Sequence, residues 1–237
     1  MQAHELVGSV DQPLIVEDWS GVRVVRDDLY PGGTKARVTH LLFDDREEYV
    51  YAGPCSGYAQ VAVAHACRAC GKRATVFVAE RRVISERTAA AALAGAGVVE
   101  VPHGYLSNVR AKAAAYCRTT GAVLLPFGLA DRRVVAGIAD IARQVWPPPR
   151  QVWTVAGSGT LSVALQGAWP DAEVHAVLIG QRHTSIGRAH LWTAPEKYEQ
   201  KAKEPPPFAS CDNYDATAWR FILQHAAAGA LFWNVAG

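Results

Sequence analysis

The chain of 237 residues contains no uncharged apolar run long enough to cross a bilayer. Its first stretch, "MQAHELVGSVDQPL", lacks a basic segment followed by an apolar one, so no secretory leader is expected. There is no GxGxxG and no GxxxxGK[ST], which disfavours a dinucleotide or a nucleoside triphosphate as ligand. The formal net charge of +2 is too small to demand a polyanionic partner, and no helix-turn-helix or other nucleic-acid reader motif is visible. Internal repeats and low-complexity tracts are absent as well. The five cysteines are odd in number and include one CxxC, Cys67 and Cys70, with no second pair to complete a zinc site. That count points to a reducing compartment, to packing roles for the thiols and to no bound metal.

What is present is a globular composition, with 50% hydrophobic and 19% charged residues, enough for one substantial core or two closely joined lobes. Short β-branched runs alternate with longer helical ones. Strands are expected at 49–54, 74–80, 98–102, 122–128, 151–157, 173–180 and 230–234. Helices are expected at 57–71, 85–97, 107–121, 131–145, 159–168 and 215–229, with Gly71 as a stop and Ser85 as an N-cap. A rigid "PPPR" break precedes the strand at 151–157. Continuous apolar strands alternating with amphipathic helices predict an α/β protein with parallel sheet covered on both faces. Ligands of such sheets bind beyond the carboxyl ends of the strands. Three loops there are rich in small residues: "GPCSGYAQ" (53–60), "PFGLAD" (126–131) and "AGSGTLS" (156–162).

The third loop is a phosphate cradle by construction. Gly157, Ser158, Gly159 and Thr160 join a strand to a helix. Glycines let backbone N–H groups converge on an anion, the helix N-terminus adds partial positive charge, and the hydroxyls donate further bonds. Read alone, it is also an ordinary tight turn. Ser56 and Gly57 in the first loop could line a ligand in the same way, or Ser56 could cap the following helix. One more feature stands apart. In "VRDDLYPGGTKARVTHLL", Lys35 directly follows two glycines and a threonine and precedes an apolar helix. A lysine amine, a phosphate cradle and a second small-residue loop together suggest pyridoxal phosphate. Burial would lower the amine's pKa and expose a neutral nucleophile. The cofactor would supply an electron sink at an amino-acid Cα.

In order and spacing these segments resemble the fold type II pyridoxal-phosphate enzymes, the tryptophan synthase β-like group, and within it aminocyclopropane-carboxylate deaminase and D-cysteine desulfhydrase. "VRDDLYPGGTKAR" is similar to that group's (K/R)-x-D-L-x-P-…-G-G-N-K-x-R, which implies that Lys35 is the Schiff-base residue. "CSGYAQVAVA" resembles S-S-G-N-H-A-Q, with Ser56 and Gly57 matching and Tyr58 standing where the family has the Asn that contacts the cofactor's 3′ oxygen. Gly157 to Thr160 resemble G-S-G-G-T with one glycine fewer, and "PFGLAD" resembles P-x-G-G-S-N. "CDNYDATAW" is similar to D-P-V-Y-(E/T)-G-K-A, which aligns Tyr214 with a substrate-side tyrosine and Asp215 with an acid near the pyridine nitrogen. "ALFWNVAG" resembles V-L-F-I-H-T-G-G, with Val235 at the threonine position.

The resemblance covers residues 22 to 237 and implies one catalytic unit over 1–237, shortened, with a smaller lobe at about 50–125 and the remainder as the larger lobe. It implies catalysis by Lys35, Tyr214 and Asp215. Cofactor contacts would come from Lys35, Ser56, Gly57, Tyr58, Gly157, Ser158, Gly159, Thr160 and Asp215. An amino-acid substrate, a homodimer and a cytoplasmic location are expected.

Short members also resemble enzymes of bacterial viruses that decarboxylate an amino acid attached to thymine in DNA. That is the leading specific expectation, in the host cytoplasm. Arginines in "ERRVISER", "ADRRVV" and "GQRHTSIGR" would contact phosphates, and the Tyr58 ring would stack on a base. The alternatives are a lyase or deaminase of a small free amino acid, and a catalytically silent α/β module that binds a phosphorylated ligand.

Overall fold

A computed structural model describes residues 12–102, 105–179, 185–197 and 200–236. The chain divides into two compact units, one of residues 1–13 and 36–125, the other of 14–35 and 126–237.

The first unit is built on a four-stranded, wholly parallel sheet. Its strands are β3 (Glu48–Ala52), β4 (Arg73–Ala79), β5 (Gly97–Val101) and β6 (Val123–Leu124), in the order β5-β4-β3-β6. Every residue of β3 is buried, as expected of a central strand covered on both faces. Helix α2 (Ala59–Ala69) buries Val61, Ala62, Val63, Ala66 and Cys67. It stops where its sequence demands. Gly71 takes φ +65°, while Lys72 N–H donates to Cys67 O at 2.8 Å and Gly71 N–H to Arg68 O at 3.2 Å, a Schellman motif. Helix α3 (Glu86–Leu93) starts at Ser85, whose hydroxyl accepts from Thr88 N–H at 3.1 Å. Helix α4 (Leu106–Thr120) buries Val109 and Ala113 against β3 and β4 and ends at left-handed Gly121.

The second unit holds a six-stranded sheet in the order β1-β2-β10-β7-β8-β9. The strands are β1 (Val16–Trp19), β2 (Val22–Arg26), β7 (Gln151–Ala156), β8 (Glu173–Leu178), β9 (His190–Thr193) and β10 (Leu231–Asn234). All neighbours run parallel except β1, which pairs antiparallel with β2. The expectation of purely parallel pairing is corrected there: two residues, Ser20 and Gly21, both at positive φ, turn β1 back on β2 as a hairpin. The core under this sheet is aromatic. Phe208 meets Trp219 edge-on at 5.1 Å, and both pack with Trp153 and Phe232. Helix α1 (Gly33–Val38) carries Lys35 at the junction of the two units' sequence segments. Helices α5 (Arg132–Ala142) and α6 (Thr160–Ala168) pack on each other, and α5 is capped by Asp131, which accepts from Arg133 N–H at 2.8 Å.

Two expected elements are shorter than their sequences suggested. The strand at 122–128 contracts to β6, because Pro126 has no N–H for a ladder and Gly128 turns left-handed at φ +64° inside a 3-10 turn, Phe127–Leu129. The helix at 215–229 becomes a 3-10 turn, Asp215–Ala218, followed by helix α7 (Trp219–His225). Local side-chain bonds compete with the α pattern there: Thr217 Oγ1 donates to Tyr214 O at 2.7 Å. At the far end Ala227 N–H leaves the helix direction for Gln151 Oε1 at 2.8 Å. Ser56 is not the cap of α2; the cap position is Tyr58, which makes no side-chain capping bond.

Candidate active site

The site in the second unit lies where β7 delivers the chain into α6, beyond the carboxyl end of the strand. Gly157 and Ser158 lead out of β7, and Gly159 is the N-cap of α6 at φ +76°, a conformation that favours glycine. The first-turn amides of α6 have no carbonyl partner within the helix, so this end carries donors and partial positive charge. Ser158 Oγ and Thr160 Oγ1 lie 3.0 Å apart and add two hydroxyls.

Lys35 reaches this loop. Its Nζ donates to Gly128 O at 2.6 Å and to Ser158 Oγ at 3.2 Å. The side chain is partly buried, and loss of water lowers its amine from the usual 10.5 to about 8. A sizeable fraction of the amine is therefore neutral and nucleophilic near physiological pH. Gly128, which the sequence reading did not single out as a site residue, shapes the contact. A Cβ on it would lie 2.5 Å from Ser158 Cβ, so only glycine lets the carbonyl approach the amine while the cradle closes. The signal was in "PFGLAD", whose glycine holds a positive φ.

Tyr214 meets the same loop from the other side. Its hydroxyl accepts from Gly157 N–H at 2.8 Å and donates to Val155 O at 3.3 Å. A Cβ on Gly157 would sit 3.2 Å from that hydroxyl. Tyr214 thus braces the cradle's entry through backbone. Next to it, Asp215 is wholly buried, at 0% exposure, and its Oδ2 accepts from Ala236 N–H at 3.1 Å. The segment is fastened further by Tyr214 N–H to Cys211 O at 2.9 Å and Cys211 N–H to Ala236 O at 2.6 Å.

Lys35, Gly157, Ser158, Gly159, Thr160, Tyr214 and Asp215 all belong to the second unit, whereas Ser56, Gly57 and Tyr58 belong to the first. There they form the turn between β3 and α2. Buried Gln60 ties that turn down, donating to Cys55 O at 2.6 Å and Gly57 O at 3.0 Å. Ser85 Oγ also donates to Cys55 O, at 2.5 Å. The guanidinium of Arg87 lies over the Tyr58 ring, 5.0 Å from its centroid.

The donor set in the second unit suits a phosphorylated aldehyde. The helix N-terminus with two hydroxyls matches a phosphate, the desolvated amine matches a carbonyl carbon, and the buried carboxylate matches a protonated ring nitrogen. Among the described residues no group of three or more metal-ligating side chains is gathered.

No family model matches the sequence, and no curated protein matches it by sequence. Solved structures do match. An ACC deaminase homologue superposes with a TM-score of 0.81 at 12% identity, covering 96% of this chain and 90% of that one. A T.th. threonine deaminase gives 0.69 at 17% identity, covering 95% and 92%. A pyridoxal 5'-phosphate-dependent aspartate racemase gives 0.57 at 17% identity, covering 94% and 74%. The fold is that of the type II pyridoxal-phosphate enzymes. At these identities the likeness speaks for the fold, and the chemistry has to be argued from the chain's own residues. Among the described residues no helix is long and apolar enough to cross a membrane.

Proposed function

We propose that the protein is a pyridoxal-phosphate-dependent enzyme that acts at the Cα of an amino acid, as a lyase or deaminase. The observation that carries the reading is the Lys35 amine, lowered to about 8 and held 3.2 Å from Ser158 Oγ at the mouth of a glycine-rich helix N-terminus. When bound, pyridoxal phosphate supplies an electron sink that weakens the bonds to Cα. Gly157, Ser158, Gly159 and Thr160 would hold its phosphate through backbone N–H groups and hydroxyls. Asp215 would keep the ring nitrogen protonated. Lys35 would attach the cofactor and then, released as a neutral amine, take or return a proton at Cα. Tyr214 keeps the cradle in shape and is also proposed for the substrate side. Ser56, Gly57 and Tyr58 are proposed as cofactor and substrate contacts by resemblance, and the two units as one catalytic unit forming a homodimer.

A small free amino acid is the better supported substrate. The structural neighbours include a threonine deaminase and an ACC deaminase homologue. Two of the arginines proposed for DNA have protein partners: Arg133 pairs with Asp131 at 3.0 Å, and Arg188 donates to the carbonyls of Trp169, Pro170 and Ala172. Arg182 lies outside the described residues. A decarboxylase acting on amino-acid-bearing thymine remains the second reading, carried by resemblance. The deciding experiment offers the cofactor-loaded protein D-cysteine, serine, aminocyclopropane carboxylate and oligonucleotides bearing amino-acid-modified thymine. Release of ammonia or sulfide from the free amino acids, without salt-sensitive DNA binding, is expected. Turnover confined to the oligonucleotides would select the second reading, and no turnover with no cofactor uptake would leave the silent binding module.

A further inference from the structure

The two acids ahead of Lys35, Asp27 and Asp28, have different partners. Asp28 is paired with Arg26, whose Nε and second amino nitrogen reach its two oxygens at 2.9 and 2.8 Å. Asp27 lies deeper, at 0% exposure, in the 3-10 turn Asp27–Leu29. Its Oδ2 accepts from Thr34 Oγ1 at 2.7 Å and from Trp233 Nε1 at 3.1 Å, and the same indole N–H lies 2.9 Å from Thr34 Oγ1. Thr34 and Trp233 are also buried, so these three side chains close a small triangle inside the second unit.

Thr34 is the residue immediately before Lys35. The helix that carries both, α1, has only six residues. Isolated helices of that length do not hold together in water. It is entered through two consecutive left-handed glycines, Gly32 at φ +84° and Gly33 at φ +69°. Glycines give the chain room to bring the lysine to the cradle, and they also give it room to leave. Something else must fix the direction of the Lys35 side chain, and the buried triangle is fastened one residue away. It joins α1 to β10, an interior strand of the sheet between β2 and β7.

We propose that Asp27, Thr34 and Trp233 form a clamp that positions the Lys35 amine against Gly128 O and Ser158 Oγ. The three are positioning residues and touch neither cofactor nor substrate. The proposal rests on the reading of Lys35 as the cofactor-bearing lysine, and it is tested in a way that separates the two.

The test uses the cofactor-free full chain and trace acetic anhydride, with the Lys35 peptide quantified by mass spectrometry across pH. In the wild type the labelling midpoint is expected at about 8. Thr34→Val keeps the shape and removes the hydroxyl. The freed amine should reach water, and its midpoint should climb toward the 10.5 of an ordinary lysine. Thr34→Ser restores the hydroxyl and should return the midpoint. In the cofactor-loaded protein Thr34→Val should lower kcat about a hundredfold, the scale of an ångström-sized misplacement, with KM little changed. If Thr34→Val lacks a cooperative melting transition, Trp233→Phe removes the other donor and is read in the same way. A midpoint that stays at the wild-type value in a folded clamp variant overturns the proposal. If the midpoint climbs but the wild type takes up no pyridoxal phosphate, the clamp stands and the cofactor reading falls. If Lys35 takes up the cofactor and the variants keep both midpoint and turnover, the clamp falls and the cofactor reading stands.

Discussion

The chain contains two strand-loop-helix elements rich in small residues, and they are fastened from opposite sides of the peptide. In the loop from β7 to α6 the anchor is on an N–H: the Tyr214 hydroxyl accepts from Gly157 N–H at 2.8 Å. In the loop from β3 to α2 the anchors are on carbonyls: Gln60 Nε2 holds Cys55 O and Gly57 O at 2.6 and 3.0 Å. A trans peptide points its C=O and N–H in opposite directions. Tying the carbonyls of Cys55 and Gly57 to Gln60 therefore turns the N–H groups of Ser56 and Tyr58 away from it. Within that loop Gly57 N–H is itself turned back to Pro54 O at 2.9 Å. The loop from β7 to α6 combines its helix N-terminus with hydroxyls and an amine. Similar sequences thus yield two differently anchored loops, and the one in the second unit also carries the lysine amine.

The contrast can be broken most severely at Gly128. Gly128→Ala would add about 1–2 kcal/mol of left-handed strain. It would add a further cost of about 1–3 kcal/mol from the Cβ forced against Ser158. Urea melts should show the loss, and pyridoxal phosphate should be retained poorly. Gln60→Leu attacks the other loop. It leaves Gly57 O without its amide donor, at about 1–3 kcal/mol where water does not replace it, while Cys55 O keeps Ser85 Oγ at 2.5 Å. The prediction is a raised KM for the amino acid together with weaker retention of the cofactor, since Ser56, Gly57 and Tyr58 are proposed to contact both; no change in either would mean that this loop serves neither.

Much of this was legible in sequence and some was not. The strand expected at 74–80 is β4, Arg73–Ala79, and the strand expected at 151–157 is β7, Gln151–Ala156, because buried parallel strands write themselves as continuous apolar runs. Ser85 and Gly71 act as the cap and stop that their residue types imply. By contrast β1, β2 and β9 were missed. "VEDW" and "HLWT" are four-residue edge strands with polar residues, and "VRVVR" hides a buried Arg26 that is neutralised by Asp28. Such strands are specified by partners far along the chain. Lys35 could be picked out because its neighbours in sequence are unusual. The bracing by Tyr214 could not, since it depends on a contact 57 residues away, and Gly128 showed only as a glycine in "PFGLAD".

Smaller effects sharpen the comparison. Tyr214→Phe deletes one hydroxyl and leaves the ring in place. The loss should be about 1 kcal/mol, or roughly a fivefold faster escape of cofactor, read by the decay of its absorbance on dialysis. Acidity gives the mildest probe. The Lys35 amine is near 8 in the fold against 10.5 for ordinary lysine, so uptake of pyridoxal phosphate should accelerate as pH rises through 8 and then level off. Between 8 and 10.5 the unfolded chain still holds the proton that the fold has lost, so this group makes stability rise with pH in that window. A rate of uptake that is flat from pH 6 to 9 would mean that another amine is responding.

The most direct measurement is the site of attachment. The protein is loaded with pyridoxal phosphate, reduced with borohydride, digested and analysed by mass spectrometry. The account predicts a single pyridoxyl adduct on Lys35, absent from Lys35→Ala, which should also lose the visible absorbance of the bound cofactor. An adduct spread over exposed lysines, or an unchanged adduct and absorbance in Lys35→Ala, would contradict it.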